Sequence, residues 1–354
     1  MKRTAFTLMV ILILGLLVSC GSQPTYPGAT WGKVNRPEAV GFSSDKLAQA
    51  RAYSDTIFSA AVVIVKGGQI VDEWGEVSTK YKTHSIRKSF LSALYGNYVR
   101  AGVIDLEMTL AELGIDDVPP LSEEELQATV RDCIKARSGI YHPALYETEG
   151  MRARKPERFS ARAGTHWYYN NWDFNVLGTI FERATGLGIF DAIYDEIAAP
   201  IQMEDYVPGD GEYVEGEDSQ YRAYPFRITA RDLARFGLLM LRDGKWEGRQ
   251  LIPGDWVEES TRYHSDAALY RVDGYGYMWW VARRDNKYSH YPNLDVPEGT
   301  YSARGSGGHA MLVIPAYDLV IVHRMDTQSG GKGHRANGRQ VGRLLSLILA
   351  ARTG

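Results

Sequence analysis

The sequence predicts an α/β fold of the α+β type, in which an antiparallel sheet is flanked by helices and joined to a mostly helical subdomain. Strand-like segments lie near both ends of the 354-residue chain, and helical periodicity fills the stretch from about 100 to 245. Hydrophobic residues make up 44% of the chain, enough for a sizeable core in one large domain or two closely packed subdomains. The chain shows no internal repeats.

The first elements of the predicted domain are a helix and a hairpin. Ser43 is a good N-cap for a helix over Leu47–Tyr53. The apolar runs Ala60–Val65 and Gln69–Trp74 are separated by Lys66-Gly67-Gly68, which predicts two antiparallel strands and a tight turn.

Hydrophobic periodicity and boundary residues, such as helix caps, also predict the remaining elements. An apolar helix follows Ser85, and Thr229 is the expected N-cap of a helix over residues 230–241. Late in the chain we expect three strands and a closing helix, at Tyr275–Val281, Ala310–Ile314, Leu319–His323 and Gln340–Ala351. The sheet is therefore built from both ends of the chain, and the site lies between the two subdomains.

The N-terminus predicts export. Lys2 and Arg3 precede an apolar run that ends near Val18, which is too short to span a bilayer but suits a signal-peptide core. Residues 17–20, Leu-Val-Ser-Cys, resemble the bacterial lipobox, in which the cysteine is lipidated. The alternative is ordinary cleavage nearby, with Cys20 incidental. We expect a lipoprotein signal peptide at 1–19, a lipidated Cys20, a tether at 20–40 and a folded domain at 41–354, held on the outer side of a bacterial membrane.

Composition excludes several partners. If Cys20 is lipidated, only Cys133 remains and no internal disulfide can form. The formal charge of -3 with scattered signs leaves no basic stripe, so nucleic acid is not an expected partner. Eight histidines show no paired-ligand spacing, and we expect neither a metal nor a cofactor.

Ser85 and Lys88 form the first candidate catalytic pair. A serine hydroxyl is a poor nucleophile until a base takes its proton, and a lysine three residues later on a helix lies on the same face. Keeping that lysine neutral at pH 7 requires a pKa shift of about three units, or roughly 4 kcal/mol, which burial and a partner must supply. Ser85 also suits a helix N-cap, and we expect His84 beside it to pack or to be solvated.

Tyr169 and Asn171 are the expected partners of Lys88. A phenol beside an amine can share its proton and pass one to a leaving group, and the Asn171 side chain can orient both. A second Ser-x-x-Lys sequence, Ser43 to Lys46, is interpreted as an ordinary helix start with a structural role only.

These residues resemble the serine β-lactamase and penicillin-binding-protein superfamily, in particular the class C β-lactamase-related branch that includes esterases and amide hydrolases. The segment 130–140 resembles the one that these proteins carry between their first two motifs, where a helix ends in a Ser-Gly turn. The segment 163–171 resembles their approach to the tyrosine motif. The resemblance implies a β-lactamase-like fold, with Ser85 as the acylated nucleophile, Lys88 and Tyr169 as the acid/base pair and Asn171 in the family's asparagine position.

The third motif departs from that family. Where dedicated β-lactamases carry Lys-Thr-Gly, the matching triplet here is Ala303-Arg304-Gly305, so Ala303 takes the place of the lysine and Arg304 points to the opposite face. The backbone N–H of Gly305 or Ser306 can still bind an oxyanion. Arg304 and His309 are the candidates to reach the pocket in place of the lysine.

The resemblance favours a serine hydrolase that cleaves an amide or ester bond in a small-molecule or peptide-like substrate, and we rank a general amidase or esterase first. The alternatives are a β-lactamase, a D-Ala-D-Ala carboxypeptidase, and a β-lactam or cell-wall binding protein that does not turn over. Intact Lys88 and Tyr169 favour the enzyme, because the base needed for deacylation is present.

Overall fold

The computed structural model describes residues 25–267, 274–282, 291–292, 294–328 and 333–353. The predicted signal peptide, Cys20 and the first part of the tether lie outside these residues.

An antiparallel sheet of eight strands forms the centre of the described structure, in the order β2-β1-β12-β11-β10-β9-β8-β7. The predicted sheet built from both ends of the chain is therefore confirmed. Two small two-stranded sheets, β3-β4 and β5-β6, lie outside it. The strands are β1 Ser59–Lys66, β2 Gln69–Gly75, β3 Tyr81–Lys82, β4 Arg227–Ile228, β5 Lys245–Trp246, β6 Arg249–Gln250, β7 Ser265–Asp266, β8 Gly274–Tyr275, β9 Trp280–Val281, β10 Tyr301–Gly305, β11 His309–Ile314 and β12 Leu319–Met325.

Helices cover both faces of this sheet. They are α1 Ser44–Thr56, α2 Arg87–Arg100, α3 Val130–Ile134, α4 Glu149–Arg152, α5 Asn171–Thr185, α6 Ile189–Ala192, α7 Ala230–Leu241, α8 Gly254–Thr261 and α9 Gly338–Ala350. Because strand side chains alternate between faces, Val62 and Ile64 of β1 pack with α1 and α9, whereas Val63 and Val65 join the larger core that contains α2, α5 and α7. Helix α2, which follows Ser85, belongs to this larger core.

Several local predictions are confirmed. The hairpin forms at β1-β2, with Gly67 and Gly68 in the left-handed conformation of its turn. The Ser43 side chain caps α1 by accepting a hydrogen bond from the Lys46 N–H, and the Thr229 side chain caps α7.

The predicted strand over Tyr275–Val281 is wrong. The segment is a tight hairpin, in which β8 and β9 pair with each other across a turn that holds Met278 at φ 60°. Aromatic residues and alternation made the run resemble one strand, but an added Cβ at Gly276 would lie 2.2 Å from the Ser260 carbonyl oxygen. The packing of this glycine against α8 favours the turn.

Among the described helices, none combines the length and apolar character needed to cross a bilayer.

Candidate active site

Ser85 lies in a short 3-10 turn, His84–Ile86, directly ahead of α2. The expected helix cap is wrong, because Ile86 occupies the N-cap position and no side chain caps α2. His84 has φ 48°, a left-handed conformation that is unfavourable for a side chain with a Cβ. The turn thus presents a partly exposed serine hydroxyl at the positive end of α2.

Lys88 brings the predicted catalytic residues together. Its side chain is 1% exposed, and its Nζ lies 3.4 Å from the Ser85 Oγ, 2.7 Å from the Tyr169 hydroxyl and 2.8 Å from the Asn171 Oδ1. All three partners are neutral groups. The one-turn spacing and the partnership with Tyr169 and Asn171 agree with the sequence analysis.

The electrostatics of this cluster favour a neutral amine. Burial, and then the positive charge of Arg87, hold the pKa of Lys88 well below its usual value, and Glu147 opposes this shift. Burial raises the pKa of the Tyr169 phenol to about 12, although a hydrogen bond with Ser85 and the charge of Arg87 oppose the rise. The surroundings therefore favour an unprotonated lysine beside a protonated tyrosine.

The start of α5 fixes the tyrosine motif. Asn170 is the N-cap of α5, and its side-chain amide donates to the Ile140 carbonyl (2.6 Å) and to Asp173 (2.8 Å). Ser138, in the Ser-Gly turn after α3, donates to the same Asp173 oxygen. Asn171 donates to the Tyr146 carbonyl at 2.7 Å, which aims its own carbonyl at Lys88. The segment after α3 thereby positions the asparagine.

Strand β10 ends against the nucleophile turn. An added Cβ on Gly305 would lie 2.6 Å from the Thr83 carbonyl oxygen and 3.3 Å from the His84 Cβ, so only glycine allows this approach. Gly305 pairs with His309 of β11, and Ala303 pairs with Met311. Ala303 is fully buried in the core on the side of the sheet that faces α2 and α7. The place expected for a family lysine therefore holds a methyl group.

Arg304 and His309 occupy different surroundings. The Arg304 Nε donates to the Ser302 Oγ (2.9 Å), and its guanidinium lies 5.4 Å from the centre of the Trp280 ring. The Trp280 ring in turn stacks on Tyr169, with centroids 5.2 Å apart. Trp280 therefore lies between Arg304 and Tyr169.

His309 is buried behind the nucleophile turn. Its ring lies 5.1 Å from that of His84, and its Nδ1 accepts a hydrogen bond from the Arg324 Nε at 3.0 Å. His84 contacts the Thr327 hydroxyl, and burial lowers the pKa of His84 to about 4. The two imidazoles are therefore neutral packing groups at neutral pH, as expected for His84.

Sequence reasoning missed several residues that shape the site. Arg87 stands inside the Ser85–Lys88 motif, and Asn175 lies one turn beyond Asn171 on α5; both are fully buried. Trp280 lies in the segment predicted as a strand, and its ring is partly exposed beside Tyr169. The signal that could have identified Arg87 is its position between Ser85 and Lys88, directly ahead of the apolar part of α2.

Comparison with known proteins identifies the family of this chain and its fold. The family model named Beta-lactamase matches residues 45–345. An uncharacterized protein of Alkalihalophilus pseudofirmus is 20% identical over 303 residues, covering 77% of this chain and 85% of that protein.

Two solved structures share the fold. A putative 6-aminohexanoate-dimer hydrolase from Bacillus anthracis superimposes with a TM-score of 0.66 at 20% identity, covering 92% of this chain and 88% of that one. A novel penicillin-binding protein homolog from Caulobacter crescentus gives a TM-score of 0.61 at 15% identity, covering 88% of this chain and 99% of that one.

The match extends over most of the chain, and the folded arrangement is that of serine β-lactamases and related hydrolases. The chain belongs to the Beta-lactamase family of serine hydrolases.

Proposed function

We propose that the protein is an exported, lipid-anchored hydrolase that cleaves amide or ester bonds through an acyl-enzyme on Ser85. The observation that carries the catalytic part is the buried Lys88 amine, which contacts Ser85, Tyr169 and Asn171 and whose pKa burial holds well below its usual value. A neutral amine within reach of a serine hydroxyl is the base that this nucleophile requires. The Leu-Val-Ser-Cys sequence at residues 17–20 supports the anchor.

The chemistry then follows in balanced steps. The Ser85 Oγ attacks the substrate carbonyl carbon, and its proton moves to the Lys88 Nζ as the C–O bond forms. Backbone N–H groups at Gly305 and Ser306, together with the positive end of α2, stabilise the oxyanion. When the tetrahedral intermediate collapses, the Tyr169 hydroxyl gives a proton to the leaving group and regains one from Lys88. Water repeats the sequence on the acyl-enzyme, releasing the acid and free Ser85.

Buried Ala303 favours esters and neutral amides over penicillins as substrates. A cation at that position would hold a substrate carboxylate with a charge-assisted bond of about 1.5–3 kcal/mol. Without that bond, selection for penicillins should be weaker by roughly tenfold to a hundredfold. Substrates that carry no carboxylate lose nothing from the change.

A substrate panel tests this proposal. The purified protein should hydrolyse short p-nitrophenyl esters, with a lower kcat/KM for a penicillin. Ser85→Ala should abolish turnover, whereas Ser43→Ala, in the structural Ser-x-x-Lys sequence, should leave kcat/KM unchanged.

Other outcomes of the panel identify the alternatives. Efficient penicillin turnover without ester or amide hydrolysis would establish a β-lactamase, and release of D-alanine from a D-Ala-D-Ala peptide would establish a carboxypeptidase. Stoichiometric acylation without turnover would identify a binding protein and would contradict the hydrolase proposal.

A further inference from the structure

Helix α5 presents two asparagines to two consecutive basic residues of α2. Asn171 and Asn175 are one turn apart and lie on the same face of α5. Asn171 accepts a hydrogen bond from Lys88 and donates to the Tyr146 carbonyl (2.7 Å). Asn175 accepts from the Arg87 guanidinium (3.5 Å) and donates to the Leu145 carbonyl (3.2 Å). Each asparagine therefore contacts one of the two basic side chains and one backbone carbonyl, with longer distances at Asn175 than at Asn171.

Arg87 is a buried cation whose contacts are all neutral. Its side chain is fully buried, and it donates to the His84 carbonyl at 3.2 Å. The guanidinium also lies over the rings of Tyr146 and Tyr224, 5.0 and 5.1 Å from their centres. Within the described part of the chain, no carboxylate oxygen comes within 4 Å of it. Aromatic faces, a backbone carbonyl and an amide therefore carry its charge.

If both Arg87 and Lys88 were protonated, two positive charges would be buried side by side with only neutral acceptors, which is unfavourable. The guanidinium does not lose its proton in proteins, whereas a lysine amine readily does when it is buried. The amine is consequently the group that gives up its charge. An aspartate in place of either asparagine would raise the pKa of Lys88, because a carboxylate would compensate one of the two positive charges.

We propose that Arg87, the buried cation that contacts Asn175, acts together with burial to keep Lys88 in its neutral, base form. Arg87 is thus a positioning residue, which acts on the reaction through Lys88 and through the His84 carbonyl of the nucleophile turn. This inference rests on the proposed acyl-enzyme function.

The other groups around the pair do not supply an equivalent charge. Glu147 acts in the opposite direction on Lys88 and is itself paired with Lys155 at 2.9 Å. Burial raises the pKa of Asp173 well above its usual value, which disfavours its charged form. Lys82 lies over the Tyr146 ring, but its charge is paired with Glu212 at 2.7 Å. The remaining titratable groups around the pair are His84, Tyr146, Tyr169, Tyr224 and Tyr275.

The test is the pH profile of Ser85 acylation by a fluorophosphonate in Asn175→Asp, with Asn175→Ala as the matched control. A carboxylate beside Arg87 compensates its charge and raises the pKa of Lys88. The acid limb of the profile, where protonation of Lys88 lowers the acylation rate, should therefore move to higher pH. For each pH unit by which the limb moves, the acylation rate at pH values below the Lys88 pKa falls about tenfold, whereas the rate at alkaline pH recovers. Asn175→Ala removes the same hydrogen bonds without adding charge, so its limb should stay at the wild-type position.

Arg87→Met provides a second, chemically different variant. It removes the cation outright and should move the acid limb in the same direction as Asn175→Asp. Arg235→Met is its control, because Arg235 is equally buried but lies on α7, where it bonds to Glu204 and to the Ile201 carbonyl. That control should lower the melting temperature without moving the limb.

The possible failures are distinguishable. Uniform loss of rate at every pH in Asn175→Asp and Arg87→Met, with the acid limb unmoved, would overturn the inference and leave Arg87 as a packing residue. Absence of Ser85 labelling in the wild-type protein at any pH would instead overturn the proposed function on which the inference rests.

Discussion

The Lys88 amine is buried away from water and contacts three neutral groups, and this desolvation dominates the electrostatics of the site. Desolvation disfavours the ammonium, and the nearby Arg87 disfavours it further. The hydroxyl of Ser85 remains partly exposed to substrate while its base is sealed from solvent. Lys88 thus needs burial and Ser85 needs access to substrate. Both are met because Ser85 lies in the turn and Lys88 lies in the first turn of α2.

The first prediction concerns Tyr169. Tyr169→Phe removes the hydroxyl that Lys88 contacts at 2.7 Å, and with it the group that returns a proton to the leaving group. General acid–base catalysis of this kind contributes about 10²–10⁴-fold, so kcat for ester hydrolysis should fall by at least ~10²-fold. Tyr168→Phe is the control. Its hydroxyl bonds to the Met151 carbonyl, and its loss should change kcat little. Equal effects of the two variants would remove Tyr169 from the mechanism.

At this scale the sequence predicted the cluster but not its electrostatic control. Ser85, Lys88, Tyr169 and Asn171 could be predicted because motif order and helical spacing bring them together. The contact of Asn175 with Arg87 depends on which faces of α2 and α5 meet. That relation is a property of packing, and no local pattern encodes it.

The end of strand β10 and the nucleophile turn approach so closely that Gly305 has no room for a side chain. The second prediction is that Gly305→Ala lowers kcat by about 10²-fold or more, because a displaced strand end no longer supplies its oxyanion donor. Gly209→Ala is the control, since an added Cβ there meets no atom within 4 Å. Melting temperatures separate a local displacement from unfolding. A Gly305→Ala protein with wild-type kcat would show that β10 does not contribute to the oxyanion site.

Strand β12 carries a histidine that makes stability depend on pH. His323 is fully buried between β1 and the β10-β11 turn, where one ring nitrogen contacts the Ser59 hydroxyl (2.8 Å) and the other the Gly308 carbonyl (2.7 Å). Burial lowers its pKa from 6.5 to about 4. As the pH falls through this window the unfolded chain takes up the proton first, so the folded state loses stability relative to it.

The third prediction follows from that sign. Between pH 7 and pH 4 the wild-type protein should lose about 3 kcal/mol more unfolding free energy than His323→Asn, measured by urea denaturation. Between pH 7 and pH 8 the difference between the two proteins should stay constant. Parallel curves throughout would show that His323 titrates normally in the folded protein.

Elements were predictable where a period and a boundary signal agreed. The β1-β2 hairpin, α1 with Ser43, α7 with Thr229 and the closing helix all satisfied this condition. The run from Tyr275 to Val281 had the composition of a strand, but a glycine packed on the Ser260 carbonyl turns the chain inside it. Tertiary contact overrode local preference there.

At the scale of the whole molecule, the two ends of the chain form neighbouring strands, β1 and β12, and thereby place the nucleophile turn beside the late strand β10. Strand signals at both ends of the chain predicted the shared sheet, but they did not predict that β1 and β12 are neighbours in it. The small β3-β4 pairing was not predicted, since two-residue strands carry no detectable period.

The fourth prediction concerns anchoring. In a bacterial host, the wild-type protein should sediment with membranes and carry the mass of a diacylglyceryl group on Cys20. Cys20→Ala should be released or remain unprocessed, while its kcat/KM in detergent matches that of the wild type. A soluble wild-type product without lipid would contradict the anchor and leave the catalytic proposal intact.

The central claim is that Ser85 becomes acylated, and intact-mass analysis with peptide mapping after fluorophosphonate treatment tests it most directly. We expect one adduct per chain, on the peptide that contains Ser85, lost in Ser85→Ala and retained in Ser43→Ala. An adduct that maps to another residue, or that persists in Ser85→Ala, would contradict the account.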